Sequence, residues 1–519
     1  MNASNLRTTG SPMRMWTTLS TLVLTFLVLG CSGQTLGPGA ATGDTLSDSA
    51  ELDWMARDPL FSSLQARKHQ MLNRAVVEQT LVTWGTPGHT AEPVPVGAVG
   101  PARYTSQLRG ITQNTKIFEV SRQAVDDGVN VILIIGDGMG NFQMSLPVLM
   151  RIAQGKDEET AFQRIMWEGA SGFSLTHSYG QLVTLSCTSA TSLATGVKTY
   201  SQIIGINAEG HPVESIADMA SARGYRTGII TDTRLTHATP AAFYAHIVDR
   251  FRENEIAEQL SAVEHFNVVL GGGAAHLIPS GTSLKDFPSF APLPDELNAA
   301  SLREDEQDLL ARILDNGYTL AVNREQLMAL PTDSSKVFGL FNGSHIRYAI
   351  DRKRLDLGEP SLVDMTRKGL QLLSIQGDPY FLMIEAGRID HAAHENDIGT
   401  VIRAAYEMEQ ALGVAYEAYL KAPEQSLLIF TADHETGGLG LTYRGMDPPR
   451  QKTLASGLEW ATNYDTVSFS NFTRHLEQTM SFADLFGQAG SAEEFYRLYS
   501  ENFPFAMPRE KAEQIWEME

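Results

Sequence analysis

Asn130 to Gly140 read NVILIIGDGMG, with five consecutive aliphatic residues from Val131 to Ile135 that lead to a carboxylate, Asp137, set between glycines. An apolar run of this length without polar alternation predicts a strand covered on both faces, as in a parallel sheet. Four more runs carry the same signature: Thr227–Thr231, Val268–Leu270, Tyr380–Ile384 and Leu427–Thr431. Helical patterns separate them. Between the last two, Ile402, Tyr406, Met408, Leu412 and Val414 stand near helical spacing within Val401–Leu420 and predict a crossover helix. Strands alternating with helices give an α/β fold, a doubly wound, mostly parallel central sheet flanked by helices, whose ligands bind beyond the carboxyl ends of the strands. Asp137 follows the first run, Glu385 ends the fourth, and Asp433 and His434 follow the fifth, all at that edge.

The chain has 519 residues, 43% of them hydrophobic, enough to bury a large core. Forty basic against sixty-one acidic side chains leave a formal charge of -21, which repels nucleic acid and excludes it as a specific partner. An anionic substrate would need a local positive site. Near the N-terminus, Arg7 and Arg14 precede an apolar run from Trp16 to Leu29. That pattern reads as a secretory signal over residues 1–30, too short to span a membrane. Val28-Leu29-Gly30-Cys31 resembles a bacterial lipoprotein processing site, an ordinary signal cleaved nearby being the alternative. Residues 31–50, rich in Gly, Ser and Thr, read as a flexible tether. The chain is therefore expected to be exported to the periplasm or cell surface, with Cys31 as a lipid anchor. Cys187 is the other cysteine, so a lipidated Cys31 excludes an intrachain disulfide.

Residues 51–519 are expected to fold as one domain. Two segments fit the sheet poorly, near 253–337 and 440–519, and are expected as insertions. In the second, Trp460, Tyr464, Phe469, Phe472, Phe482 and Phe486 are expected to be packing residues.

Two motifs carry metal-type chemistry. In EAGRIDHAAHE, Asp390 and His394 are four residues apart and share a helix face, with Glu385 at the preceding strand end. In TADHETGG, Asp433 and His434 stand in a glycine-bounded loop and could form a second site with Asp137. Carboxylate with imidazole suits zinc, whereas Glu385 and Asp137 could also contribute to an all-oxygen site, which favours magnesium.

Read in order from Asn130 to Gly438, GDGMG, VTLSCTSATSLATGVKTY, THATPAAFYAHIVDR, EAGRIDHAAHE and TADHETGG resemble successive signatures of the alkaline phosphatase family, bacterial type. The resemblance implies a phosphomonoesterase that uses two zinc ions and one magnesium and releases inorganic phosphate from small phosphate monoesters. Ser186 is implied as the nucleophile that becomes phosphoserine, and Arg250 as the clamp on two phosphate oxygens. Asp390 and His394 are implied for the first zinc, Asp137, Asp433 and His434 for the second, and Asp137, Thr239 and Glu385 for magnesium. His237 and His391 occupy positions that influence this third site. Leu185 stands where the family often carries an aspartate that orients the arginine. Rival readings are a phosphodiesterase or sulfatase of the same superfamily, or a phosphate-binding surface protein without turnover. Oligomeric state, monomer or homodimer, stays open.

The family pattern requires one more zinc-binding histidine near the C-terminus, where EWATNYDT offers Asp465 instead. The missing signature stands at the other end, as VTWGTPGHTAEPVPVGAVGP followed by ITQNTKIF, just before the segment of Asp137. The resemblance thus implies a circular permutation, with His89 as the third ligand of the first zinc. Glu119 to Asn130 would join the former ends. The C-terminal helix would then continue into Leu52–Gln79 and reach His89.

Overall fold

The computed structural model describes residues 63–374 and 377–518. The expected signal, Cys31 and the tether lie outside them. Ten strands form one sheet among the described residues. Numbered along the chain, they are β1 Val94–Val99, β2 Gly110–Gln113, β3 Asn130–Gly136, β4 Ala170–Leu175, β5 Arg226–Arg234, β6 Phe266–Gly272, β7 Thr319–Ala321, β8 Val337–Leu340, β9 Tyr380–Ala386 and β10 Ser426–Ala432. Their order across the sheet is β2-β4-β1-β10-β3-β9-β5-β6-β8-β7. β1 runs antiparallel to both neighbours, and the other pairings are parallel. Among the helices are α1 Ser63–Thr80, α2 Ser186–Thr195, α3 Arg388–His394, α4 Ile398–Tyr419 and α5 Arg509–Trp516, of which α2 and α3 carry site residues.

The five apolar runs are β3, β5, β6, β9 and β10, and they lie side by side in the middle of the sheet. Successive side chains of a strand point to opposite faces. Val131, Leu133 and Ile135 of β3 accordingly enter one core and Ile132 and Ile134 the other. Both faces are dry, so the sequence had to be apolar at every position. The expected crossover helix is α4, between β9 and β10.

The segment near 253–337, expected as an insertion, is threaded into the sheet edge and contributes β6 and β7. The segment from 440 onward divides in two. Tyr443–Thr453 and Glu459–Thr466 form an antiparallel hairpin paired with no other strand. There Trp460 is 42% and Tyr464 53% exposed, and Phe469, just beyond, 62%. These three are not the packing residues expected of them; for Trp460 and Tyr464 the reason is that a two-stranded hairpin has no second layer to bury an aromatic face. Phe472 and Phe482 are buried and Phe486 is half-buried against the core.

Beyond the hairpin, Met480, Phe482, Leu485, Phe495 and Ile515 pack with Leu72 and Val76 of α1 in a third apolar cluster. Lys68 of α1 donates to the Trp516 carbonyl of α5 at 2.8 Å. Burying side chains such as Phe495 and Ile515 contributes about 1.5–3 kcal/mol each, which ties the two distant stretches of chain together. From α1 the chain runs through Val82–Trp84, paired with Leu439–Leu441, and His89–Thr90, paired with Glu435–Thr436, before entering β1. Among the described residues no helix is long and apolar enough to cross a membrane.

Candidate metal centre and nucleophile

The adjacent carboxyl ends of β3, β9 and β10 gather the acidic residues. Glu385 stands opposite Ile135 of β3 and Thr231 of β5, and Asp137 and Asp433 follow directly on β3 and β10. Gly138 makes the turn after Asp137 at a φ of 71°, and a Cβ there would come within 2.7 Å of the Asp390 Cα. Glycine meets both demands. Its N–H donates to Asp433 Oδ1 at 3.1 Å. Ser186 opens α2 and is buried, its hydroxyl 3.2 Å from His434 Nε2.

The histidines are set by carbonyls and a hydroxyl. His89 Nδ1 lies 2.8 Å from the Thr184 carbonyl, and His394 Nδ1 lies 2.5 Å from that of Pro87. A carbonyl can only accept, so both Nδ1 atoms carry a proton, and in the neutral rings that a metal would require both Nε2 atoms present lone pairs. Those two Nε2 atoms face each other at 3.1 Å, with Asp390 Oδ1 at 3.8 Å from His89 and 3.3 Å from His394. Thr436 Oγ1 donates to Asp390 Oδ1 and so accepts from His434 Nδ1. His434 Nε2 is thereby turned to Asp433 Oδ2 at 3.2 Å and Asp137 Oδ1 at 3.4 Å.

Lone pairs and carboxylates that converge without a donor repel one another unless a cation lies among them. Asp137 Oδ1, Asp433 Oδ2, Glu385 Oε1 and His237 Nδ1 are buried with no hydrogen-bond partner. Ligand atoms of three groups lie within 4.8 Å of one another: His89, Asp390 and His434; Asp137, Asp433 and His434; and Asp137, His237 and Glu385. The donor set fits divalent metal, with imidazole and carboxylate in the first two groups and mainly oxygen in the third. Thr239 Oγ1 lies 3.3 Å from Asp137 Oδ2, beside the third group. His237, expected to act only as an influence there, places its own Nδ1 in that group, 3.8 Å from Glu385 Oε1. His391 stands behind it, its Nδ1 2.6 Å from Arg388 Nη1.

Electrostatics agree. Burial, then Asp433, Asp390 and Glu385, push the Asp137 carboxyl well above the ordinary range. Asp433 is pushed up to about 8 by burial and by Asp390. Burial would raise Asp390 as well, but His394 and His89 outweigh it and hold it well below. His89 falls to about 4, through burial and His394. Burial opposes protonation of His394, but Asp390 outweighs it and raises that histidine; the charge of Arg250 is felt at His89, His394 and His434 as a smaller opposing influence, which sets the guanidinium near the cluster. Its Nη2 lies 3.0 Å from His237 Nε2.

All twelve residues singled out in the sequence fall in this neighbourhood, Ser186 and Arg250 included. Asp465 does not. It sits on the hairpin, paired with Arg444 at 3.1 Å and Arg450 at 3.6 Å. Sequence reasoning missed His345, whose ring lies 4.4 Å from that of His391 and 5.7 Å from that of His237. Its place just after β8, at the same end of the sheet, was the available signal. Thr436 was missed too, although it stands within TADHETGG.

A family model described as alkaline phosphatase matches residues 129–483. The chain is 29% identical over 360 residues to alkaline phosphatase 3 of Bacillus subtilis, covering 68% of this chain and 71% of that one. It is 28% identical over 454 residues to alkaline phosphatase 4 of Drosophila melanogaster, covering 76% and 74%. The crystal structure of Thermus thermophilus alkaline phosphatase superposes with a TM-score of 0.60 at 27% identity, over 75% of this chain and 76% of that one.

Proposed function

Since the chain belongs to the alkaline phosphatase family, we propose that it hydrolyses phosphate monoesters through a phosphoserine at Ser186, with two zinc ions and one magnesium. The carrying observation is the Ser186 hydroxyl held 3.2 Å from His434 Nε2, at the edge of a cluster of lone pairs and orphaned carboxylate oxygens. His89, Asp390 and His394 would hold one zinc, Asp137, Asp433 and His434 the other, and Asp137, Thr239 and Glu385 the magnesium. When bound, these ions would supply Lewis-acid charge at the nucleophile and at the oxygens around phosphorus.

The chain's own residues account for the rest. Ser186 Oγ attacks phosphorus, the ester P–O bond breaks, and the alcohol leaves with a proton. Arg250 faces two non-bridging oxygens with its planar fork and offsets their charge. The start of α2 places partial positive charge at Ser186. Water then attacks phosphorus, the Oγ–P bond breaks, and inorganic phosphate and the free serine are restored.

We further read the first zinc site as built across a circular permutation. The family match begins at residue 129, beyond His89, yet His89 Nε2 lies 3.1 Å from that of His394. The packing of α1 against α5 supports the same reading. Export with a lipid anchor at Cys31 belongs to the proposal and rests on residues 1–31 of the sequence.

Acid-quenched turnover of a phosphorus-labelled aryl phosphate tests the proposal. Label is expected on Ser186 and absent in Ser186→Ala, and wild-type labelling in that variant would sink the assignment. Hydrolysis of aryl phosphate is expected to exceed that of bis-aryl phosphate and aryl sulfate, the rival activities.

A further inference from the structure

TADHETGG supplies Asp433 and His434, and Glu435 directly after them belongs to none of the three ligand groups. Glu435 is buried, and among the described residues its carboxylate meets three neutral donors. Oε2 accepts from the Thr90 hydroxyl at 2.5 Å. Oε1 accepts from Gln143 Nε2 at 2.8 Å and from the Gly438 N–H at 2.9 Å. Gln143 Nε2 also donates to the Thr436 carbonyl at 2.7 Å. The partners come from separate stretches of chain: Thr90 directly follows His89, Gln143 stands on the helix Asn141–Ala153 just beyond Asp137, and Gly438 closes the loop of Asp433 and His434. A Cβ at Gly140 would come within 2.2 Å of Glu435 Cγ, so the last glycine of GDGMG makes room for this side chain. Burying a carboxylate costs free energy, and bonds to a charged acceptor are stronger than neutral ones. His89 and Thr90 form a strand of two residues, paired with Thr436 and Glu435, too short to be stable by itself. The neighbouring backbone bond, from the Gly437 N–H to the Gly88 carbonyl at 2.9 Å, comes from the same loop.

We infer that Glu435 is the positioning residue for His89: its carboxylate latches the strand that carries His89 onto the loop that carries Asp433 and His434. The ligands of the second group need no such latch. Asp137 and Asp433 follow central strands of the sheet and are tied by the Gly138 N–H, 3.1 Å from Asp433 Oδ1. His89 arrives from outside that frame, its ring turned by the Thr184 carbonyl but its strand held by the loop 435–438. Without the Glu435 bonds, Thr90 and the strand can move off the loop while the other ligands stay, so the loss falls on the first zinc alone. The inference rests on the proposed role of His89 as a zinc ligand.

The test uses the full chain stripped of metal, with zinc as the probe, affinity read by calorimetry and bound metal counted by elemental analysis. Glu435→Ala is expected to weaken one zinc by about tenfold and leave the other unchanged. Thr90→Val, which removes the hydroxyl alone, should weaken the same zinc to a similar degree, and it carries the test should Glu435→Ala fail to fold. Glu435→Gln should keep most of the affinity, since its amide nitrogen can donate to Thr90 Oγ1 and its oxygen can accept from Gln143 and Gly438. In a His89→Ala background, Glu435→Ala should add no further loss, which a general weakening of the fold would not give. The inference is overturned by unchanged zinc binding in Glu435→Ala and Thr90→Val, by an equal loss at both zincs, by a loss as large in Glu435→Gln as in Glu435→Ala, or by a full further loss in the His89→Ala background. Zinc binding that His89→Ala itself leaves intact would instead overturn the reading of His89 as a ligand.

Discussion

Glu253 and the trio Asp137, Asp433 and Glu385 are buried acids that reach burial by opposite routes. Glu253 receives Arg234 through two hydrogen bonds, at 2.9 and 2.7 Å, and the Thr236 hydroxyl at 2.5 Å, with His276 Nε2 3.4 Å away. Burial alone would raise its carboxyl, but Arg234 and His276 overcome that and hold it at about 2. Among the described residues the trio has no arginine or lysine hydrogen-bonded to it, and each of its members keeps a carboxylate oxygen without a partner. A buried acid must be neutralised by something. Glu253 carries its countercharge within the chain, whereas the trio requires a charge from outside.

The largest expected effect follows directly. Chelation should lower phosphate release by about a thousandfold or more, with recovery on adding zinc and magnesium, while the Glu253 cluster stays intact. Activity that survives exhaustive chelation would break the comparison.

Glu253→Gln should cost about 3 kcal/mol of stability, because it leaves Arg234 buried without its charge. The loss should be equal with and without metal in denaturant titrations. A metal-dependent loss would tie the two clusters together.

His89→Ala should lower zinc affinity by about 100-fold, the scale on which metal sites respond to lost support, and activity should fall with it and return in excess zinc. Asp465→Ala should leave zinc content unchanged. Asp433→Asn should weaken metal binding similarly and yet raise the melting temperature of the chelated protein near neutral pH, since the buried side chain no longer has to take up a proton on folding.

The smallest effect is one of pH. Asp433 rises from near 3.8 to about 8 in the folded chain without metal, so the fold keeps a proton that the unfolded chain releases. Its contribution is greatest below about pH 4 and is lost as pH climbs to about 8. Glu253 is depressed from near 4.5 to about 2, so its contribution is present above pH 4.5 and lost as pH falls to 2. Melting temperatures of chelated protein should fall by several degrees between pH 5 and 8 relative to loaded protein, and the two should fall together in acid.

The central strands were legible because each is covered on both faces and had to be apolar throughout. The strands flanking them on one side were not. β1 reads VPVGAV, whose proline and glycine suit a loop as well as a strand, and β4 alternates buried and exposed residues over a short span. Asp390 and His394 could be paired from spacing alone, since a helix fixes which side chains share a face. Joining His89 to them needed the family pattern, because nothing local in a Gly/Pro loop distinguishes a ligand from a solvated histidine. His345 stayed hidden for a related reason, since the strand before it went unrecognised. The aromatic residues of the hairpin misled because composition does not say whether a second layer exists to cover them.

His89 and His394 are separated by 305 residues, and an ion shared by them would close that stretch into a ring. Cys187 is a buried free thiol, so no covalent link at that position performs this task. A cross-link closing so long a loop removes freedom from the unfolded chain worth about 6 kcal/mol in the loop-entropy account. Such an ion would serve as a reversible staple as well as a reagent, fastened only after the chain has been made through His394 and opened again by any agent that strips the metal.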